Sequence, residues 1–276
     1  MMATISRDFE VHLEEDRVVR VSVDEPGDGP MDSPTVVFIP GFKGFKDWGG
    51  WPWFCRELAA AGHRVARINP SMCGVGAGLD VFDEPERFAR QTLAHDVEDV
   101  VTLLQHPELS DSRTLLLGHS RGGLVAALTA NSCSGVDGVI TMGTPDQLLR
   151  LTEEEINQWF ESGFREIVNA RTGETLVQDR VVLEDFMKQG DRYNAPLALS
   201  KAQVPVLSIH GDSDPAVECS SSLRLLEGVE ERYATRILIE GAGHTFGLVH
   251  PFAGPHAHAQ QVIEVICHWI EEEFSA

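Results

Sequence analysis

Lysine is nearly missing from this 276-residue chain: Lys43, Lys46, Lys188 and Lys201 are all of it, and lysine and arginine together number 22 against 43 aspartates and glutamates. The formal charge of −21 would repel a polyanion at long range, so a nucleic-acid binder is excluded as a reading. Paired cysteines are missing too. Cys55, Cys73, Cys133, Cys219 and Cys267 are odd in number, widely spaced and contain no C-x-x-C, which excludes a disulfide framework and a zinc knuckle and leaves reduced thiols as the expectation. No apolar run approaches the roughly 18 residues of a membrane span, and residues 1–17 lack the apolar stretch of a secretory signal. A cytoplasmic protein without a membrane span is expected. Internal repeats are absent, so the order of elements carries the information.

What is present begins as a hairpin. Phe9, Val11 and Leu13, then Val19, Val21 and Val23, alternate with polar residues on either side of Glu14-Glu15-Asp16, the period of a half-buried antiparallel pair. From residue 35 the apolar runs stop alternating. Residues 35–39, 64–68, 114–117, 138–142, 204–209 and 236–239 read as strands buried on both faces. Between them lie helical patterns at 53–61, 88–104, 124–130, 220–226 and 260–274. This alternation predicts an α/β fold with a mostly parallel sheet covered on both faces. Residues 144–203 interrupt it. A helix over 153–167, with Ile156, Trp159, Phe160, Phe164 and Ile167 inward, a tight turn at Arg171-Thr172-Gly173-Glu174 and a short helix over 183–188 suggest a lid, too small to be a domain of its own.

The run Gly118-His119-Ser120-Arg121-Gly122-Gly123 places G-x-S-x-G between a buried strand and a helix. A sharp turn there lifts a serine hydroxyl out of the sheet, and only small neighbours tolerate it. A serine hydroxyl is a weak nucleophile and needs a base oriented by an acid. Both follow in chain order: Asp214, in His210-Gly211-Asp212-Ser213-Asp214, and His244, in Gly243-His244. Taken alone, Asp214 reads as a solvent-facing turn residue and His244 as loop packing; together with Ser120 they read as a triad. Backbone amides aimed at developing negative charge are the remaining requirement. The Arg121 N–H, first in the helix, and the Phe42 N–H, in Pro40-Gly41-Phe42-Lys43-Gly44, are the candidates.

In that order, Pro40-Gly41-Phe42, Gly118-His119-Ser120-Arg121-Gly122-Gly123, His210-Gly211-Asp212-Ser213-Asp214 and Gly243-His244 resemble the α/β-hydrolase superfamily, and more loosely its serine-esterase and dienelactone-hydrolase-like branch, over about residues 33–275. The resemblance implies an eight-stranded sheet, a Ser120/Asp214/His244 triad, and no cofactor or metal. Pro40-Gly41 stands where His-Gly is commoner. Serine at the elbow separates the chain from cysteine-type dienelactone hydrolases and from relatives with an aspartate nucleophile.

Asp146 follows the preceding core strand, where some relatives carry the acid, while Asp212 reads as a turn-holding residue and His119 as packing beneath the elbow. His250, His256 and His258 lack metal-ligand spacing. Gly74-Val75-Gly76-Ala77-Gly78 lacks the spacing of a dinucleotide loop and reads as a loop at the mouth of the site. Phe45 and Trp48 of the oxyanion loop, facing Trp159 and Phe164 of the lid, are the expected substrate-binding residues. The reaction class that follows is hydrolysis of a carboxylic ester or related acyl bond on a small molecule. An acyltransferase or serine peptidase with the same residues, or a ligand-binding protein that keeps the fold without turnover, stays open.

Overall fold

Two kinds of strand build the sheet in the computed structural model, which describes residues 4–27, 33–78, 80–110, 112–149, 151–169 and 173–275. Strands β1 (Thr4–His12) and β2 (Val18–Pro26) pair antiparallel, and the chain reverses between them through Glu15 and Asp16, both at positive φ. Strands β3 (Thr35–Ile39), β4 (Val65–Asn69), β5 (Thr114–His119) and β6 (Gly138–Met142) are buried at every position. Helices α1 (Trp51–Ala60), α2 (Pro85–Ala89), α3 (Leu93–Leu104) and α4 (Arg121–Ser132) connect or follow them. Next come α5 (Glu153–Ser162), a hairpin of β7 (Phe164–Val168) and β8 (Thr175–Asp179), α6 (Arg180–Gln189) and α7 (Ala195–Ala202). The chain closes with β9 (Val206–Gly211), the short α8 (Ser221–Arg224), β10 (Ala234–Ile239) and α9 (Ala257–Phe274).

The main sheet has eight strands in the order β1-β2-β4-β3-β5-β6-β9-β10; β1, β2 and β4 are joined antiparallel and every later neighbour is parallel. The period of two along each strand divides the core. Val37, Ile39 and Leu116 face α3, α4 and α7, while Val36, Phe38, Leu115 and Leu117 face α1 and α9. All parallel strands therefore end at one edge, where the loops after β3, β5, β9 and β10 converge.

Two expectations change in the 144–203 interval. The helix foreseen over 153–167 stops at Gly163, which takes the left-handed conformation at φ 80°, and Ile167 pairs with Leu176 in the β7–β8 hairpin instead. An apolar spacing of three and four continues across that glycine, which is why the pattern alone ran on. Helix α7 belongs to the body of the fold, because Ala195, Ala198 and Leu199 pack in the same core as α4. A parallel step from β6 to β9 requires such a crossover helix, so the part standing apart from the sheet is shorter than foreseen. Arg171 and Thr172 of the expected turn lie outside the described residues; Gly173 has φ 73°.

Candidate active site

Ser120 sits between the last residue of β5 and the first of α4, at φ 52° and ψ −120°, a conformation that side chains rarely adopt. Its surroundings explain the glycines. A Cβ on Gly118 would lie 2.2 Å from Gly122 O, one on Gly122 2.1 Å from Ile39 O, and one on Gly123 2.0 Å from Thr144 Oγ1. The strained backbone is held by the Ser120 N–H donating to Met142 O at 2.8 Å.

His244, in the loop after β10, donates through Nδ1 to Asp214 Oδ2 at 2.8 Å. Asp214 follows β9, and its side chain has no exposed surface. Burial opposes its ionisation, yet hydrogen bonds from His210, His244 and the Val217 amide prevail and hold the carboxyl far below the usual carboxylate range. Its Oδ1 accepts from Ala216 N at 2.8 Å and Val217 N at 3.0 Å. His119 packs its ring 4.9 Å from Trp51 and 4.8 Å from His244, and its Nε2 donates to His244 O at 2.9 Å. Burial, then the neighbouring His244, pushes the His119 pKa down to about 3.

Ser120 and His244 line one cavity of about 450 Å³, together with Phe42, Trp48, Trp51, Asn169, Leu248 and His250 among others. No described residue hydrogen-bonds Ser120 Oγ; the hydroxyl opens into the cavity. Gly41 lies so close that a Cβ there would meet Ser120 Cβ at 3.0 Å, which brings the Phe42 loop beside the elbow. Arg121 begins α4, where the amides have no acceptor within the helix. Its guanidinium turns away from the cavity and is bound to Asp96 of α3.

The substrate-binding expectations divide. Trp48 lines the cavity, stacked on His250 at 5.9 Å between centroids. Phe45, three residues earlier, is wholly buried, clustered with Phe88, Cys73, Val75 and Leu176 and edge-on to His250 at 5.7 Å behind the cavity wall. Trp159 is 2% exposed inside the small core of the α5–α6 segment, its indole N–H donating to Gln178 O, and Phe164 is 44% exposed on that segment's outer side. These three residues do not line the cavity. The segment reaches it instead through Asn169, which sequence reading missed for want of any local signal. The Gly74–Gly78 loop also stays off the cavity wall, tied down by Asp83 accepting from the amides of Gly76 and Gly78.

Asp146 is engaged elsewhere, accepting from Ser221 Oγ at 2.7 Å and Arg224 Nε at 2.8 Å. Asp212 holds the turn by accepting from Gly241 N at 2.7 Å. His250 Nδ1 accepts from Gly49 N at 2.7 Å, and the rings of His256 and His258 pack on each other. Among the described residues no group of three or more histidines, cysteines or acids is arranged to hold a metal ion, and no helix is long and apolar enough to cross a membrane.

The fold has counterparts in solved structures. Est1E from Butyrivibrio proteoclasticus, in a structure with ferulic acid bound, superposes with a TM-score of 0.70 at 20% identity, covering 94% of this chain and 96% of that one. The esterase domain of a Rhodothermus marinus protein gives 0.67 at 18% identity, with 99% and 100% covered. Alpha/beta hydrolase domain-containing protein 10 from mouse gives 0.69 at 19%, with 96% and 99% covered. At such identities the likeness is one of fold. No curated protein matches the chain. The family model described as the alpha/beta hydrolase family matches residues 36–261, more than half of the sequence, and the chain therefore belongs to that family.

Proposed function

We propose that this protein is a serine hydrolase that cleaves a carboxylic ester or related acyl bond through an acyl-enzyme. The observation that carries the reading is the 2.8 Å bond from His244 Nδ1 to a fully buried, anionic Asp214, at the edge of a cavity into which Ser120 opens from a strained turn. In this reading Asp214 fixes the imidazole with its hydrogen on Nδ1, so Nε2 is free to take the Ser120 proton as Oγ attacks the carbonyl carbon. The tetrahedral oxyanion is received by the Phe42 and Arg121 amides. His244 returns the proton to the leaving alcohol, and water repeats the sequence to release the acid. The open serine hydroxyl is compatible with this, since catalytic hydrogen bonds are often loose until substrate binds. The protein's own groups carry every step, so the reading calls for no cofactor or metal.

The substrate is a small-molecule ester whose apolar part lies against Trp48, Trp51 and Phe42. The β7–β8 segment acts as a partial lid through Asn169. All five cysteines are free thiols, which suits a reducing, cytoplasmic setting. Hydrolysis of p-nitrophenyl butyrate with a burst of nitrophenol, lost in Ser120→Ala, tests the reaction class. Efficient transfer to an added alcohol in place of water would make it an acyltransferase, and cleavage of amides in preference to esters a peptidase.

A further inference from the structure

A second histidine touches the carboxylate of the triad. His210, the penultimate residue of β9, has no exposed surface, and its Nε2 lies 3.1 Å from Val217 O and 3.3 Å from Asp214 Oδ2. Both of those atoms are acceptors, so Nε2 carries the hydrogen; it is bonded to Val217 O, and Asp214 Oδ2 lies close beside it. Nδ1, on the other side of the ring, is buried with no hydrogen-bond partner. A buried polar ring with one nitrogen unused costs stability, and an apolar residue would fill the same space without that cost. The ring earns its place through the one atom that is engaged.

With His210 counted, four groups surround the Asp214 carboxylate. Its Oδ1 accepts from two backbone amides; its Oδ2 accepts from His244 and has His210 Nε2 3.3 Å away. Apart from the half-turn that exchanges its two equivalent oxygens, no rotation of the Asp214 side chain keeps all of these contacts. The two histidines also meet at the same oxygen. Negative charge on Oδ2 that His210 draws is withheld from His244, whose ring faces Asp214 on one side and His119 on the other.

We infer that His210 is a positioning residue of the triad, which through Nε2 locks the Asp214 carboxylate and tempers how strongly Oδ2 holds a proton on His244. The inference rests on the proposed serine-hydrolase reading. Without the His210 N–H beside it, Asp214 gains a rotational alternative and Oδ2 becomes a stronger acceptor. The imidazolium of His244 is then favoured, and the neutral form that activates Ser120 persists only at higher pH.

The test is the second-order rate of fluorophosphonate labelling of Ser120 against pH, which needs no knowledge of the substrate. Glutamine at 210 places an amide N–H where Nε2 stands; asparagine is polar but too short to reach. His210→Asn is expected to slow labelling by about tenfold and move the acid limb up by about half a pH unit or more, with His210→Gln close to wild type. Equal behaviour of the two variants, or an unmoved acid limb in a folded His210→Asn, overturns the inference. Should the variants fail to fold, nitrogen-15 NMR of the wild-type protein decides: the inference requires the hydrogen on Nε2 of His210, and a hydrogen on Nδ1 overturns it. Failure to label wild-type Ser120 at all would instead count against the serine-hydrolase reading.

Discussion

Arg121, the residue after the candidate nucleophile, grips Asp96 through Nε at 3.0 Å and Nη2 at 2.8 Å, both contacts ending on Oδ2. Oδ1 of the same carboxylate accepts from Gln91 Nε2 at 2.8 Å. The pair is buried between α3 and the start of α4. Breaking such a pair from one side leaves an unpaired buried charge, at a cost of about 3–5 kcal/mol, whereas replacing both partners with apolar residues is often near neutral. Asp96→Leu and Arg121→Met are each expected to lower unfolding free energy by that amount, and the double variant to recover most of it. Denaturant melts of the three variants measure this; additive losses would show that the pair is not coupled.

Asp214 and Asp146 differ in what they orient. Asp214→Asn is expected to lower kcat by about 10³-fold or more, because the amide does not fix the imidazole tautomer. Asp146→Asn loses a partly exposed pair with Arg224, which solvent screens, and leaves kcat within a few-fold. Steady-state kinetics on one ester decide between them, and a reversed order would move the acid to the earlier strand.

The elbow was legible because its geometry permits almost no other residues: the clashes that a Cβ would meet at Gly118, Gly122 and Gly123 are written into the sequence as glycines. The buried strands were legible because they had to be apolar on both faces. His210 was not, since a histidine inside an apolar run has the same local signature whether it packs or bonds a carboxylate that the chain supplies four residues later. Phe45 and Trp48 share a loop, and without a repeating period nothing in the sequence says that one ring enters the core and the other the cavity. Trp159 misled for a related reason. Its apolar helix face does not pack on the rim of the cavity but closes on Val182 and Leu183 within its own segment.

Those placements move the proposed substrate contacts to Trp48. Trp48→Ala is expected to cost bulky p-nitrophenyl esters about 1–3 kcal/mol in kcat/KM while the acetate is hydrolysed almost as before. Trp159→Ala is expected to lower stability by about 3–5 kcal/mol and leave the ranking of esters unchanged. A chain-length series run beside thermal melts separates the two effects. A changed ranking in Trp159→Ala with none in Trp48→Ala would return the substrate role to the lid.

His119 gives the fold a dependence on pH. Its folded-state pKa of about 3 lies below the ordinary 6.5, so between those values the unfolded chain binds a proton that the folded one refuses. Stability is therefore fully present above pH 6.5 and falls as the pH drops toward 3, with a slope from this group of up to about 1.4 kcal/mol per pH unit. Glutamine at this position does not titrate and has an N–H to offer His244 O. The His119→Gln profile is expected to be flatter than wild type by that slope across the window. Parallel profiles would mean that His119 titrates alike in both states.

Whether Ser120 attacks the carbonyl and carries the acyl group is read out by intact-protein mass spectrometry after brief exposure to a fluorophosphonate. One adduct per chain is expected, located to the peptide containing Ser120, and none in Ser120→Ala, which should also lose about 10³-fold or more in ester turnover while keeping its melting temperature. An adduct on another residue, or a folded Ser120→Ala that retains about a tenth of wild-type turnover or more, would contradict it.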